Sequence, residues 1–361
     1  MKRVILKSLT AQVALLLLLI LSVNARDNNF IKNYNKVYDV KDDTELEILN
    51  KFGNVDVRDW NKNTISIDVE VIANTSNNNR AENILENIDV VFSEIGNRIK
   101  VETSIGKMKR TFNLWGGDKK RYEINYIVNM PKNIPLNLLN KYGDVFISEL
   151  TSTSNIEVKY GNLKANSIIH NEEKPLTKII LAYSNGTIEE CKWIKLNIKY
   201  SKIEINKSKA LVVVSKYSKV YVDEGTSVVS ESKYDNFRIG NIQNFHTTTA
   251  YSNLKFDKIS NKLQAESKYS DFKIENMPPD FSKISIDNKY GSYKIGVDSK
   301  ASYLIDAHGK YAKIHYPESA KVSITKDDNE TSINGLVGDN QNTESTVNIN
   351  TKYGNVKLIK E

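Results

Sequence analysis

The residues best suited to chemistry in this chain are carboxylates that recur at one offset. Glu189, Asp223, Asp257 and Glu275 each stand six positions after a tyrosine. Clustered carboxylates serve glycoside cleavage or Ca²⁺ coordination. If copies of the surrounding phrase stack at the strand spacing, Asp257 and Glu275 would stand about 5 Å apart. Other copies place Ser148, Asn166, Asn206, Gly240 and Gly296 at the same offset. Mixed Asp, Asn, Gly and Ser usage is turn chemistry, so neither an enzyme nor a Ca²⁺ site is expected. His170, His246, His308 and His315 lack metal-ligand spacing, and no metal or cofactor is expected. Glycine patterns for nucleotide or nucleophile chemistry do not occur either. Cys191 is the only cysteine, which rules out an intramolecular disulfide and reads as a small buried hydrophobe.

One segment has the composition of a contact loop. Lys107–Arg121 sets two basic clusters around an apolar tip and a Gly-Gly turn. Phe112, Leu114 and Trp115 would anchor a partner or a membrane surface, and Lys119, Lys120 and Arg121 would meet anionic groups. A hairpin packed against the rest of the protein would have the same sequence. The expectation is a projecting hairpin that carries any contact made.

What must position these groups is a repeat. The phrase reads KFGNVDV from Lys51, KYGDVFI from Lys141, KYGNLKA from Lys159 and AYSNGTI from Ala182. Further copies start at Lys199, Lys216, Lys233, Ala250, Lys268, Lys289, Lys310 and Lys352. Its tyrosines are Tyr142, Tyr160, Tyr183, Tyr200, Tyr217, Tyr234, Tyr251, Tyr269, Tyr290, Tyr311 and Tyr353. Most steps run from 17 to 23 residues, too short for a strand plus a helix. A repeat of about 20 residues that buries its apolar side only against neighbours is a solenoid. Alternation such as Ile156, Val158, Tyr160 before the aromatic, and Val145, Ile147 after it, predicts two strands per repeat joined by bends. The predicted fold is all-β: a single-chain parallel β-solenoid, right-handed as parallel crossovers are. By parity the tyrosines fall inward and stack as a buried ladder. The preceding lysines fall outward, some with an acid two residues earlier, which favours a solvated face over one that binds anionic glycans. The last step, 42 residues, reads as two turns with a degenerate copy near Thr331–Val337.

The first 25 residues have Lys2, Arg3 and Lys7, an apolar run, and Val23 and Ala25 at cleavage-site positions. They read as a secretory signal peptide. Removing them leaves 48 basic and 44 acidic residues, net +4, interspersed and without the basic run of a nucleic-acid binder. Residues 26–135 form a less regular, β-rich cap with the first repeat and a short helix near Arg80–Ile88, and 136–361 form the regular repeats. The final repeat is expected to lie uncovered, its edge blunted by Lys357, Lys360 and Glu361.

The KYGDV and KYGNV phrases, the signal peptide and the irregular first third resemble the "putative adhesin" domain families of exported Gram-negative bacterial proteins. The resemblance covers roughly residues 40–361. It implies a β-solenoid in the periplasm, at the cell surface or outside the cell. It brings no catalytic or binding residues with it. The functional expectation is a non-enzymatic, monomeric envelope protein whose partner is an envelope protein or a surface glycan. The alternatives are a scaffold or stress component with a protein partner, and a polysaccharide-active enzyme.

Overall fold

The computed structural model describes residues 29–106, 122–172, 174–318 and 320–360. Parallel pairing between successive copies of the phrase organises nearly all of it. The strand Asn155–Lys159 pairs in register with Leu136–Lys141 before it and Thr177–Ala182 after it. The same relation carries through Ile194–Lys199 into the long strands Lys202–Lys216, Lys219–Lys233, Asn236–Ala250 and Asn253–Lys268. Like therefore sits over like, as equal spacing of the phrases demands. Each copy contributes residues both before and after its aromatic, and two sheet faces result.

The core lies between those faces. Ile156, Val158, Leu181, Ile198 and Val213 point into it from one side, and Val145, Leu163, Ile203, Val220 and Phe272 from the other. In three of the 17-residue repeats only the bend at the aromatic is sharp, and the second occurs inside a continuous strand of 15 residues. There a second tight bend, expected from the sequence, is not needed, because a twisted strand turns gradually over a few residues. In the repeat that starts at Tyr183 the second bend is sharp too, and breaks the strand at Trp193, φ 51°.

The first third closes one end. The strand Glu45–Lys51 pairs in parallel with Leu136–Lys141 on one side and Arg98–Ile105 on the other. Arg98–Ile105 forms an antiparallel hairpin with Ile88–Ile95. On the second face, Asn29–Asp39, Thr64–Asn74 and Tyr122–Met130 form an antiparallel layer over Val55–Asp59. The helix α1 (Asn78–Glu86) starts where the Asn77 side chain accepts the Arg80 N–H, and buries Ala81 and Ile84. It begins two residues earlier than the apolar spacing suggests, because Asn77 supplies the cap.

The other end departs from the sequence reading. Thr346–Lys352 does not follow Tyr303–Lys310 in the stack; it lies between that strand and Lys283–Lys289. Val356–Lys360 likewise lies between Ser292–Val297 and Ile314–His315. Glu330–Val337 is not a degenerate repeat. It runs antiparallel to Tyr303–Lys310 and forms a hairpin with Lys321–Asp327. The final copy of the phrase is thus interior, and the hairpin covers the repeat beyond it. The expectation of an uncovered final repeat is overturned through Lys357, whereas residues 358–360 pair on one side only among the described residues; copies of one phrase have interchangeable edges, so chain order does not dictate stacking order.

Candidate functional site

The sharp bend falls on the aromatic itself. Phe52 and the eleven tyrosines of the phrase all have positive φ, from 49° to 64°. A bulky side chain in this left-handed region is disfavoured by about 1–2 kcal/mol, and glycine is the residue that enters it freely. Reversing the backbone there turns the ring out of the core. The parity argument assumed a strand continuing through the tyrosine; the positive φ breaks that parity, and the rings are half-exposed instead of buried. Tyr183 is 53% exposed and Tyr234 39%.

Outside, the rings stack face to face. Their order is Phe52, Tyr142, Tyr160, Tyr183, Tyr200, Tyr217, Tyr234, Tyr251, Tyr269, Tyr290, Tyr353, Tyr311, with centroids 4.8–5.2 Å apart and planes within 14°. Each spacing is that of adjacent strands. The eleven tyrosines are 39–53% exposed, so part of each faces solvent. Backbone bonds lock the corner: the N–H of Tyr200 donates to the Lys216 carbonyl and that of Tyr217 to Lys233, both at 3.1 Å.

The residue after most of the rings takes the inward position that sequence parity gave to the tyrosine. Ser184, Ser201, Ser218, Ser252 and Ser270 are buried here. Each hydroxyl donates to the carbonyl two residues earlier, at 2.7–3.0 Å. The Ser201 and Ser218 hydroxyls also accept the N–H of the serine one repeat before. Asp235 interrupts this row. Its carboxylate accepts the Ser218 and Lys233 N–H groups and the Ser215 hydroxyl. Burial nonetheless pushes its pKa above the ordinary carboxylate value. Where the phrase has glycine, a side chain would not fit: a Cβ on Gly143 would lie 1.9 Å from the Gly53 carbonyl oxygen.

The lysines flank the column on one side. Lys216 and Lys233 place their ammonium groups over Tyr217 and Tyr234, 5.2 and 5.4 Å from the ring centres. Beside this lysine row an open groove of about 980 Å³ crosses the repeats from Lys159 to Lys289. Its lining includes Ile180, Asn197, Val214, Glu231 and Glu266. The expected lysine–acid pairing is realised by Lys159 with Glu157. No ion pair of Lys233, Lys268 or Lys289 forms among the described residues. The groove itself was not foreseen. Its signal was the run Leu211–Val214, where apolar residues occupy outward as well as inward positions.

The other candidates are dispersed. Asp257 and Glu275 do sit in equivalent positions of adjacent repeats, since Phe256 pairs with Ile274 and Lys258 with Asn276. Glu275 is engaged by Lys273. Among the described residues no group of three His, Cys, Asp or Glu could hold a metal ion. His170 accepts or donates to Thr153, His246 faces Gln264, and His308 contacts Ser332 and Glu330. Cys191 is buried, and burial pushes its thiol up to about 12, which leaves it protonated and unreactive. Phe112, Leu114, Trp115, Lys119, Lys120 and Arg121 lie outside the described residues, as do residues 1–25. No helix among the described residues is long and apolar enough to cross a membrane.

No protein-family model matches the chain, and no curated protein matches it either. Solved structures do. A "putative lipid binding protein" from Parabacteroides distasonis is 11% identical, with 93% of this chain and 98% of that chain covered, at a TM-score of 0.37. A "putative adhesin" from Bacteroides fragilis is 13% identical, with 62% and 97% covered, at 0.32. A "putative cell adhesion protein" from Clostridium sporogenes is 9% identical, with 92% and 100% covered, at 0.21. Superpositions this loose say nothing of what the present chain binds.

Proposed function

We propose that this chain is an exported, non-enzymatic β-solenoid that works in the cell envelope by adhesion to a surface. Successive repeats would wind right-handedly, the sense taken by about 98% of parallel crossovers. Residues 1–25 would direct export. One observation supports the binding role above all: twelve aromatic rings held outward at left-handed corners. Glycine would relieve the backbone strain at every one of these positions. Strain retained over so many repeats points to what the exposed rings do, in packing and at the surface. A regular row of ring edges, hydroxyls and ammonium groups suits an extended ligand contacted at many weak points, and multivalent contact raises avidity steeply.

The test is retention of the purified mature protein on intact cells and on isolated envelope fractions. The comparison protein has Tyr183, Tyr200 and Tyr217 replaced by phenylalanine, which keeps the stacked rings and removes their hydroxyls. Retention of the wild type and its loss in this variant, with the fold intact by circular dichroism, is the expected outcome. Equal retention of both would remove the tyrosine hydroxyls from the binding role.

A further inference from the structure

The outward face beside the tyrosines is not uniformly charged. In register, Lys178, Ile180 and Ala182 lie over Lys195, Asn197 and Lys199, and these over Val212, Val214 and Lys216. These nine positions hold four lysines and no acid. The repeat on either side has an acid in the middle row, Glu157 next to Ile180 and Glu231 next to Val214. Among the described residues no carboxylate lies within ion-pair distance of Lys178, Lys195, Lys199 or Lys216. Elsewhere on the same face Lys159 has Glu157 and Lys310 has Glu330. Val214 is 40% exposed, and Val229 of the next repeat 45%.

An acid-free window with an apolar floor needs an explanation, because unpaired like charges on adjacent strands repel. An anionic ligand supplies the missing partner. The groove's form selects among anions. It is concave and runs along the stack, so a linear chain fits it, whereas a flat bilayer would touch only its rims. The lysines Lys199, Lys216 and Lys233 repeat at the strand spacing of about 4.8 Å, roughly the length of one sugar ring.

We propose that this window is a binding subsite for a linear acidic polysaccharide of the uronic-acid type, laid along the groove. Carboxylates on successive sugars would meet Lys199 and Lys216, which stand on adjacent strands. The apolar face of a ring would rest on Ile180 and Val214, and Asn197 would bond sugar hydroxyls. This rests on the adhesion reading above and names the ligand class for it.

The experiment measures binding of the full mature protein to polygalacturonate oligomers, to uncharged dextran, and to vesicles of phosphatidylglycerol. Two variants accompany it: Lys199→Gln with Lys216→Gln in the window, and Arg238→Gln with Lys255→Gln on the opposite sheet face. Neutral glutamine keeps the side-chain stem, and unchanged melting curves establish folding. Polygalacturonate should bind, weaken as salt screens the charges, and lose at least tenfold in affinity in the window variant alone. Equal losses in both variants would reduce the effect to net charge and overturn the subsite. Binding to vesicles but not to polygalacturonate would overturn the ligand class. Retention on envelopes without any polygalacturonate binding would sink this inference while leaving adhesion standing, whereas absence of envelope retention would sink adhesion itself.

Discussion

Replacing Tyr217 separates the value of the ring from the strain of its corner. The ring is 42% exposed and stacks on Tyr200 and Tyr234. About 100 Å² of it is therefore hidden, worth roughly 2.5 kcal/mol at 25 cal/mol per Å². Two stacked neighbours add about 1–3 kcal/mol. Tyr217→Ala forfeits both contributions yet keeps a Cβ at φ 53°, so it should lose about 3.5–5.5 kcal/mol. Tyr217→Gly forfeits the same contacts but recovers the left-handed penalty of about 1–2 kcal/mol. Glycine should thus be the milder substitution by about 1 kcal/mol, against its usual rank in strands, where it is the worse by roughly 0.5–1 kcal/mol. Urea unfolding of the protein followed by far-ultraviolet circular dichroism measures the difference. Tyr217→Phe should be near neutral, since the side chain is half-exposed and no hydrogen bond of its hydroxyl forms among the described residues. An alanine variant more stable than the glycine variant would refute the assigned strain, and a large loss in Tyr217→Phe would refute the exposed orientation.

Three further outcomes are expected. Asp235→Ser, which restores the serine of neighbouring repeats, should stabilise the protein at pH 7. Because burial raises the folded-state pKa above the ordinary carboxylate value, Asp235 is tolerated below that ordinary value and destabilises as pH rises from it to the folded pKa; the gain should fade on acidification, read from urea midpoints across pH. Gly143→Ala should destabilise by about 3 kcal/mol or more through its clash with the Gly53 carbonyl, whereas Gly186→Ala, which meets the movable Leu181 side chain, should cost less in the same assay. Deleting residues 346–361 should strip amide-exchange protection from 283–315 while leaving 136–250 protected, because the deletion empties a slot inside the stack.

Periodicity exposed most of the architecture because stacked repeats hold equal sequence at equal height. The spacing of Tyr200, Tyr217, Tyr234 and Tyr251 alone implies parallel strands in register. The orientation of the rings was harder to see. Alternation through Ile198 and Tyr200 points inward only if the backbone stays extended, and φ is not written in a hydropathy pattern. A usable signal was the buried polar row two positions before the tyrosine, at Ser215, Ser232, Thr249 and Ser267. Such residues need partners inside, and the small residue after the tyrosine shares that interior. Asp235 bonds Ser215 in this way. The interior place of the last repeat had a fainter sign. Gly354 lies against Gly291, and a Cβ on it would meet the Gly291 carbonyl at 2.1 Å; glycine copies seek glycine neighbours, whereas Tyr311 is followed by Ala312. The groove escaped notice because outward valines are unremarkable singly and form a patch only when three repeats are laid side by side.

The placement of Thr346–Lys360 also bears on how such a chain can change length over evolutionary time. A unit such as residues 200–216 begins on a ring and a serine, Tyr200 and Ser201, and is followed by the same pair, Tyr217 and Ser218. A duplicate of it could slide into the stack and meet compatible surfaces above and below. Beyond Lys283 that freedom is gone. There the order along the chain and the order in the stack disagree, and an added unit would separate strands that must reach back across one another. Gains and losses of repeats should therefore accumulate between residues 184 and 275, leaving the interleaved end and the mixed first third as fixed boundaries of a variable middle.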